Sequence, residues 1–132
     1  SYRSSAVTPS QVVVEAELSL RPGPVEDGEQ LLVEIVRWRR ENQPGGQNSG
    51  SVFTNPSGDS AGRLIDLVGA RGLRIGTARV SEKHANFIQV GTGGLAADVL
   101  LVMAEVRRRV AEDLGVDLIA ETVLVGFDGE TE

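Results

Sequence analysis

The sequence of 132 residues contains no cysteine and only one histidine, one tryptophan and one lysine. Without cysteine, the chain can form no disulfide framework, no thiolate metal site and no cysteine nucleophile, and it fits a reducing compartment. It also shows no apolar run long enough to cross a membrane and no signal peptide. These absences predict a cytoplasmic protein that has no membrane partner and no metal centre.

The charge of the chain is negative, with 13 basic and 19 acidic residues and a net charge of -6. An acidic chain of this size is a poor general binder of nucleic acid, so no nucleic-acid partner is expected. All the basic residues except Lys83 are arginines. Arginine suits planar contacts with carboxylate or phosphate, although a GC-rich genome produces the same bias. Hydrophobic residues make up 40% of the chain, which predicts a globular domain with a core.

Residue periodicity in the first half of the chain predicts one strand, one helix and a loop. Apolar and polar residues alternate over residues 12–20, which predicts a strand with one buried face. A helix is predicted over residues 25–41, with acidic residues at its start and arginines at its end. Its apolar stripe consists of Leu31, Leu32, Ile35 and Trp38. Residues 43–59 are rich in Gly, Asn, Ser and Pro, which is typical of a linker or an active-site loop.

The second half of the chain predicts two further helices and three strands. The helices cover residues 61–68 and 96–114, and the strands cover residues 74–80, 87–90 and 116–125. Ser60 is suited to cap the first of these helices, and Gly69 and Gly115 follow their ends. Together the elements predict an α+β fold, with helices packed on a small mixed or antiparallel sheet.

Generic catalytic motifs are missing, since the sequence has no phosphate-binding loop, dinucleotide fingerprint or Ser-His-Asp spacing. Three side chains still merit attention as candidates. Ser51 follows a glycine in a proline-containing loop, where serine is more often only a turn former. Glu121 lies in an apolar segment, so it belongs either at a sheet edge or beside a partner in a site. His84 is the only histidine, and a lone histidine is more often structural.

Taken in order, six short motifs are more specific than any one of them alone. They are YRSS at residues 2–5, RRENQP at 39–44, GSVFTNP at 50–56, AGRLI at 61–65, RIGTARVSEKHANF at 74–87 and LIAETV at 118–123. In this order they resemble the UDP-N-acetylenolpyruvoylglucosamine reductase family, in its shorter subclass. Two departures stand out: Thr77 occupies a position where glycine is expected, and residues 89–92 lack an expected asparagine.

The resemblance implies an FAD-dependent oxidoreductase of peptidoglycan biosynthesis. Its reaction reduces UDP-N-acetylglucosamine enolpyruvate to UDP-N-acetylmuramate, with NADPH as the co-substrate that reduces FAD. The hydride then passes to the terminal vinyl carbon of the substrate, and a proton must reach the adjacent carbon. The protein must therefore stabilise charge on the enol carboxylate and place a proton donor on the correct face.

The same resemblance assigns roles to individual residues. Ser51 matches the family's proton donor, Arg3 matches the arginine that contacts the substrate carboxylate, and Glu121 matches the acidic residue that polarises or orients the intermediate. The positions matched to substrate binding are Tyr2, Gln43, Asn55 and His84. These seven residues are the site that the resemblance implies.

The resemblance also implies a division of the chain into two parts. Residues 1–40 correspond to the end of an FAD-binding domain, and residues 41–132 correspond to the carboxy-terminal substrate-binding domain. The family's FAD-binding region is expected ahead of this chain, so the chain alone is expected to be inactive and to need that region as a partner. The alternative is a non-catalytic nucleotide-sugar-binding or interaction domain derived from the same fold. Retention of the three residues matched to catalysis favours the reductase.

Overall fold

A computed structural model describes residues 5–8 and 10–126 of the chain, so Tyr2 and Arg3 lie outside the described residues. Two compact units divide the chain at Ser1–Glu34 and Ile35–Glu132. The helices are α1 (Val25–Asn42), α2 (Ala61–Leu67) and α3 (Ala96–Leu114). The strands are β1 (Gln47–Ser51), β2 (Arg74–Ile75), β3 (Ala78–Val80) and β4 (Phe87–Val90). Among the described helices, none has the length and apolar character needed to span a membrane.

The four strands form one antiparallel sheet in the order β1-β4-β3-β2. β2 and β3 make a hairpin, β4 pairs with β3 so that Val80 lies opposite Ile88, and β1 completes the other edge. Helix α3 packs on β2, β3 and β4, and α2 packs on α3. This arrangement confirms the predicted α+β fold.

The core lies between α3, α2 and one face of the sheet. α3 contributes its buried stripe, which consists of Val102, Met103, Val106 and Val110. Leu114, the last residue of α3, is 38% exposed. Gly115 then adopts a left-handed conformation with a φ of 66° and terminates α3, as the sequence predicts.

The predicted strand over residues 74–80 is wrong, because the chain turns back within it to form the β2–β3 hairpin. Gly76 makes the turn possible with a φ of 54°. The backbone N–H and the hydroxyl of Thr77 both donate to the Asp98 carboxylate, at 2.7 and 2.6 Å. These hydrogen bonds lower the pKa of Asp98, and the one from the hydroxyl is a contact that glycine could not make.

Gly76→Ala is expected to destabilise the fold by about 1–3 kcal/mol in urea unfolding. A Cβ at this position would come within 2.4 Å of an Asp98 oxygen, and the positive φ disfavours an L side chain. Gly91→Ala is the matched control, because nothing lies within 4 Å of its added Cβ, and it is expected to change stability by at most about 0.5 kcal/mol. Equal effects of the two substitutions would contradict this account of the hairpin.

Three further predictions about strands and loops differ from the structure. Residues 12–20 are exposed and form no strand among the described residues, since apolar alternation makes a strand only where a partner supplies the hydrogen bonds. Residues 116–125 make a single bridge, between Ala120 and Phe53, instead of a strand. The predicted loop over residues 43–59 contains β1, which β4 stabilises despite its loop-like composition.

Helix α1 agrees with its predicted bounds to within one residue. Its predicted apolar stripe is exposed, however, and no residue of α1 is buried. In the first unit, Leu31 is 57% exposed and Leu32 is 63% exposed. The periodicity of a helix predicts which side is apolar, but it does not predict what covers that side.

Candidate functional site

A pocket of about 380 Å³ lies in the second unit, beside the end of β1, helix α2 and the turn between β3 and β4. Its lining includes Ser51, Asn55 and His84, so the structure brings together three of the residues that the resemblance implied. Ser51 is the last residue of β1 and lies opposite Phe87 on β4. It is half-buried at the edge of the sheet.

The chain that leaves β1 is held firmly against β4 by backbone and side-chain hydrogen bonds. The N–H of Val52 donates to the carbonyl of Asn86 at 2.9 Å. The Asn86 side chain brackets the next residue, because its Oδ1 accepts from Phe53 N at 3.0 Å and its Nδ2 donates to Phe53 O at 2.8 Å. The Phe53 ring is 1% exposed and packs in the core. Ser51 is therefore attached to a fixed segment.

Asn55 lies where this segment meets α2. Its Oδ1 accepts from the N–H of Ala61, the first residue of the helix, at 3.0 Å. Ser60 caps the same helix by accepting from Arg63 N at 3.3 Å. Because its oxygen is engaged, Asn55 offers its amide N–H groups to the pocket, and it is suited to contact an acceptor on a ligand.

The imidazole of His84 is held in one tautomer. Its Nδ1 accepts from the N–H of Asn86 at 3.2 Å, so the ring proton resides on Nε2. Burial lowers the pKa of His84, and the charge of Arg71 lowers it further, which favours the neutral ring. Gly62 permits the close approach of α2, since a Cβ there would lie 3.3 Å from His84 Cε1. His84 is thus a neutral hydrogen-bond donor at the pocket.

Three cations at this pocket were missed by the sequence reasoning: Arg63, Arg71 and Lys83. Arg63 and Arg71 form ion pairs with Asp59 and Asp66, respectively. The hydrogen bond from Arg71 to Asp66 raises the pKa of the arginine. The Lys83 ammonium donates to the carbonyl of Arg40. The i,i+4 spacing of Asp59 and Arg63 could have predicted their ion pair from the sequence. Only the fold, however, places all three cations at the pocket.

Glu121 lies next to the same segment, although it is exposed and is not in a strand as predicted. Its backbone N–H donates to the carbonyl of Val52 at 2.8 Å, and Thr54 N donates to Ile119 O at 2.9 Å. The chain around Glu121 therefore runs beside residues 52–54. The backbone of Glu121 is thus hydrogen-bonded to Val52, the residue that directly follows Ser51.

Residues 42–125 match the family described as UDP-N-acetylenolpyruvoylglucosamine reductase, C-terminal domain. The chain belongs to this family. A UDP-N-acetylenolpyruvoylglucosamine reductase from Paramagnetospirillum magneticum is 46% identical over 128 residues, covering 96% of this chain and 42% of the relative. A reductase of the same name from Syntrophotalea carbinolica is 44% identical over 126 residues, covering 95% of this chain and 42% of the relative.

A solved structure of the UDP-N-acetylenolpyruvylglucosamine reductase from Thermus caldophilus superposes with a TM-score of 0.62 at 41% identity. The match covers 76% of this chain and 36% of that chain. The chain thus spans about 42% of the length of the curated reductases it matches. These relatives confirm the family resemblance that the six ordered motifs indicated.

Gln43, which the reductase resemblance matched to substrate binding, is not among the residues that line the pocket. Its backbone N–H donates to Arg39 O at 2.8 Å, and its side-chain oxygen accepts from Arg39 Nε at 3.2 Å. Gln43 thus directly follows the last residue of helix α1, and its role in binding stays a prediction. The roles of Tyr2 and Arg3 also stay predictions, because both residues lie outside the described part of the chain.

The reductase resemblance also implies FAD, and the described residues of the first unit do not by themselves enclose a site for this cofactor. Every described residue from 5 to 34 is exposed. A binding site usually encloses most of its ligand, which these residues do not do. Across the described residues there is also no group of three or more acidic, histidine or cysteine side chains that could hold a metal ion.

Proposed function

We propose that this chain forms the substrate-binding part of an FAD-dependent cytoplasmic reductase in peptidoglycan biosynthesis. The complete enzyme reduces UDP-N-acetylglucosamine enolpyruvate to UDP-N-acetylmuramate with NADPH. The observation that carries the proposal is the shared pocket of Ser51, Asn55 and His84, in a chain whose relatives are named as reductases. The hydride comes from the flavin-binding remainder of the enzyme, and the residues of this chain act on the substrate.

Ser51 donates its hydroxyl proton to the substrate carbon that bears the carboxylate. A serine hydroxyl is a weak acid, so it serves only when it is held against a strongly basic enolate carbon. The hydrogen bonds on Val52 and Phe53 support this role, because they fix the backbone next to Ser51. Glu121, across the hydrogen bond to Val52, orients the intermediate, and Arg3 neutralises the substrate carboxylate.

The UDP-sugar part of the substrate binds along the rest of the pocket. Asn55 and His84 supply neutral N–H donors, because their acceptor atoms already have partners. The positive charges of Arg71 and Lys83 suit the negative diphosphate of such a ligand. In the complete enzyme, Gln43 and Tyr2 are the remaining two residues that we propose to bind the substrate.

The activity is tested with this chain and with the complete reductase that contains it. The complete reductase is expected to oxidise NADPH over many turnovers only when the enolpyruvyl substrate is added, since NADPH alone can reduce each flavin only once. The 132-residue chain alone is expected to oxidise none, because the described residues of its first unit do not by themselves enclose an FAD site. NADPH oxidation that is indifferent to the enolpyruvyl substrate would contradict the proposal.

The purified chain is expected to be colourless and to bind no FAD tightly. The described residues of the first unit are exposed and enclose no cofactor. A visible absorbance spectrum, taken before and after incubation with FAD and gel filtration, measures the bound flavin. A stoichiometric flavin band that survives gel filtration would show that this chain holds the cofactor by itself.

A further inference from the structure

Asn86 is one of two buried polar or charged residues in the second unit's described part, and it is 4% exposed. It immediately precedes β4 and faces the segment that leaves β1. Its side chain both accepts from Phe53 N and donates to Phe53 O, and its own carbonyl accepts from Val52 N. These three hydrogen bonds join Asn86 to the two residues that follow Ser51.

Asn86 is also connected to the other proposed site residues. Its backbone N–H donates to His84 Nδ1 and so selects the tautomer of that ring. Val52 donates its N–H to the Asn86 carbonyl, and the Val52 carbonyl in turn accepts from Glu121 N. Ser51, His84 and Glu121 are therefore all linked to Asn86 through one or two hydrogen bonds or peptide bonds.

We propose that Asn86 is a positioning residue for proton delivery by Ser51. Its primary amide pairs with both the N–H and the carbonyl of Phe53, and so sets the position of the Ser51 hydroxyl relative to His84. This inference rests on the proposed function of Ser51. A misplacement of about 1 Å can cost on the order of 100-fold in rate, so a residue that fixes this backbone controls turnover without touching the substrate.

Asn86→Asp tests the proposal in the complete reductase, because an aspartate nearly preserves the shape of the side chain. Its carboxylate accepts from Phe53 N but cannot donate to Phe53 O. The protonated acid can do both. The expected result is a kcat reduced on the order of 100-fold at about pH 8, with a KM changed by less than about 3-fold.

At about pH 5, where a buried carboxyl is protonated, kcat of Asn86→Asp relative to the parent is expected to recover by at least about tenfold. The other ionisable groups around Asn86 are His84 on the same loop, Glu121 on the facing segment, and Arg71 and Lys83 at the pocket. Dividing the kcat of the variant by the kcat of the parent at each pH removes the effect that these groups have on both enzymes. A loss of kcat that is equal at both pH values, or a loss confined to KM, would overturn the proposal.

The matched control is Asn42→Asp, which makes the same chemical change at an exposed residue of α1. Its kcat ratio is expected to stay near one at both pH values. If Asn86→Asp does not fold at about pH 8, Asn86→Ser removes the paired amide without burying a charge. It is expected to lower kcat at every pH with KM retained, and equal losses in kcat and substrate affinity would overturn the proposal.

The two hydrogen bonds between the Asn86 side chain and Phe53 form a clamp on the segment that follows Ser51. This clamp can be measured in the 132-residue chain without substrate, by hydrogen exchange of the Phe53 amide. This amide is expected to exchange at least about tenfold faster in Asn86→Ser than in the parent, relative to amides of α3, because that substitution removes the side-chain acceptor of the Phe53 N–H. Unchanged exchange would overturn the clamp. If exchange is faster but the complete enzyme does not reduce the enolpyruvyl substrate, the proposed function is refuted while the clamp is still supported.

Discussion

Replacing Ser51 by alanine is expected to slow reduction of the enolpyruvyl substrate on the order of 100- to 10,000-fold, because the positioned proton donor is lost. NADPH-dependent flavin reduction in the same complete reductase should change little, since that half-reaction delivers no proton to the substrate carbon. Substrate affinity should also change little, because one hydroxyl contributes roughly 1 kcal/mol. Stopped-flow kinetics of the two half-reactions separate these effects.

Ser49→Ala is the matched control for this experiment. Ser49 lies on the same strand, two residues earlier, and it is exposed and does not line the pocket. Its loss should leave both half-reactions near the parent rates. If Ser51→Ala slows both half-reactions equally, or leaves substrate reduction unchanged, Ser51 has only a structural role at the end of β1 and Glu121 becomes the better candidate for the proton donor.

Phe53→Ala is expected to destabilise the fold by about 3–5 kcal/mol, the usual cost of deleting a buried aromatic side chain. Phe53 is 1% exposed, and its ring packs with residues of α2, α3 and the sheet. Urea unfolding of the 132-residue chain, followed by circular dichroism, measures the change. Because native domains are only marginally stable, a loss of this size removes a large part of the total.

Val123→Ala is the control for the loss of Phe53. Val123 is 83% exposed, so its truncation should change the free energy of unfolding by at most about 0.5 kcal/mol. A cost below about 1 kcal/mol for Phe53→Ala would mean that the segment from Ser51 to Asn55 is not held by the core. The fixed position assigned to Ser51 would then lose its physical basis.

The sequence predicted the helices better than the strands, because the signals for a helix lie within the helix itself. The bounds of α3 agree with the prediction because its apolar period is strong and Gly115 stops the helix. β1 was missed because its five residues are polar and small, and it becomes a strand only through pairing with β4. The turn at Gly76 was also missed, because its Asp98 partner lies on a distant helix. Strand formation depends on partners that periodicity does not specify.

The candidate site was predictable to the extent that motifs could be matched in order. Those matches named Ser51, Asn55 and His84, and the fold places all three at one pocket. Asn86 appeared within a motif but drew no attention, since its value lies in two hydrogen bonds to a residue 33 positions away. Arg71 was missed for the same reason, because only the fold brings it to the pocket.

In the proposed function, this chain binds the UDP-sugar portion of the substrate in the pocket beside α2. The most direct measurement is a titration of the 132-residue chain with UDP-N-acetylglucosamine, followed by amide and imidazole NMR shifts. We predict weak, saturable binding with the largest shifts at Ser51, Asn55 and His84, and reduced binding in His84→Ala. Shifts confined to α3, or no saturable shift at the pocket, would contradict the claim.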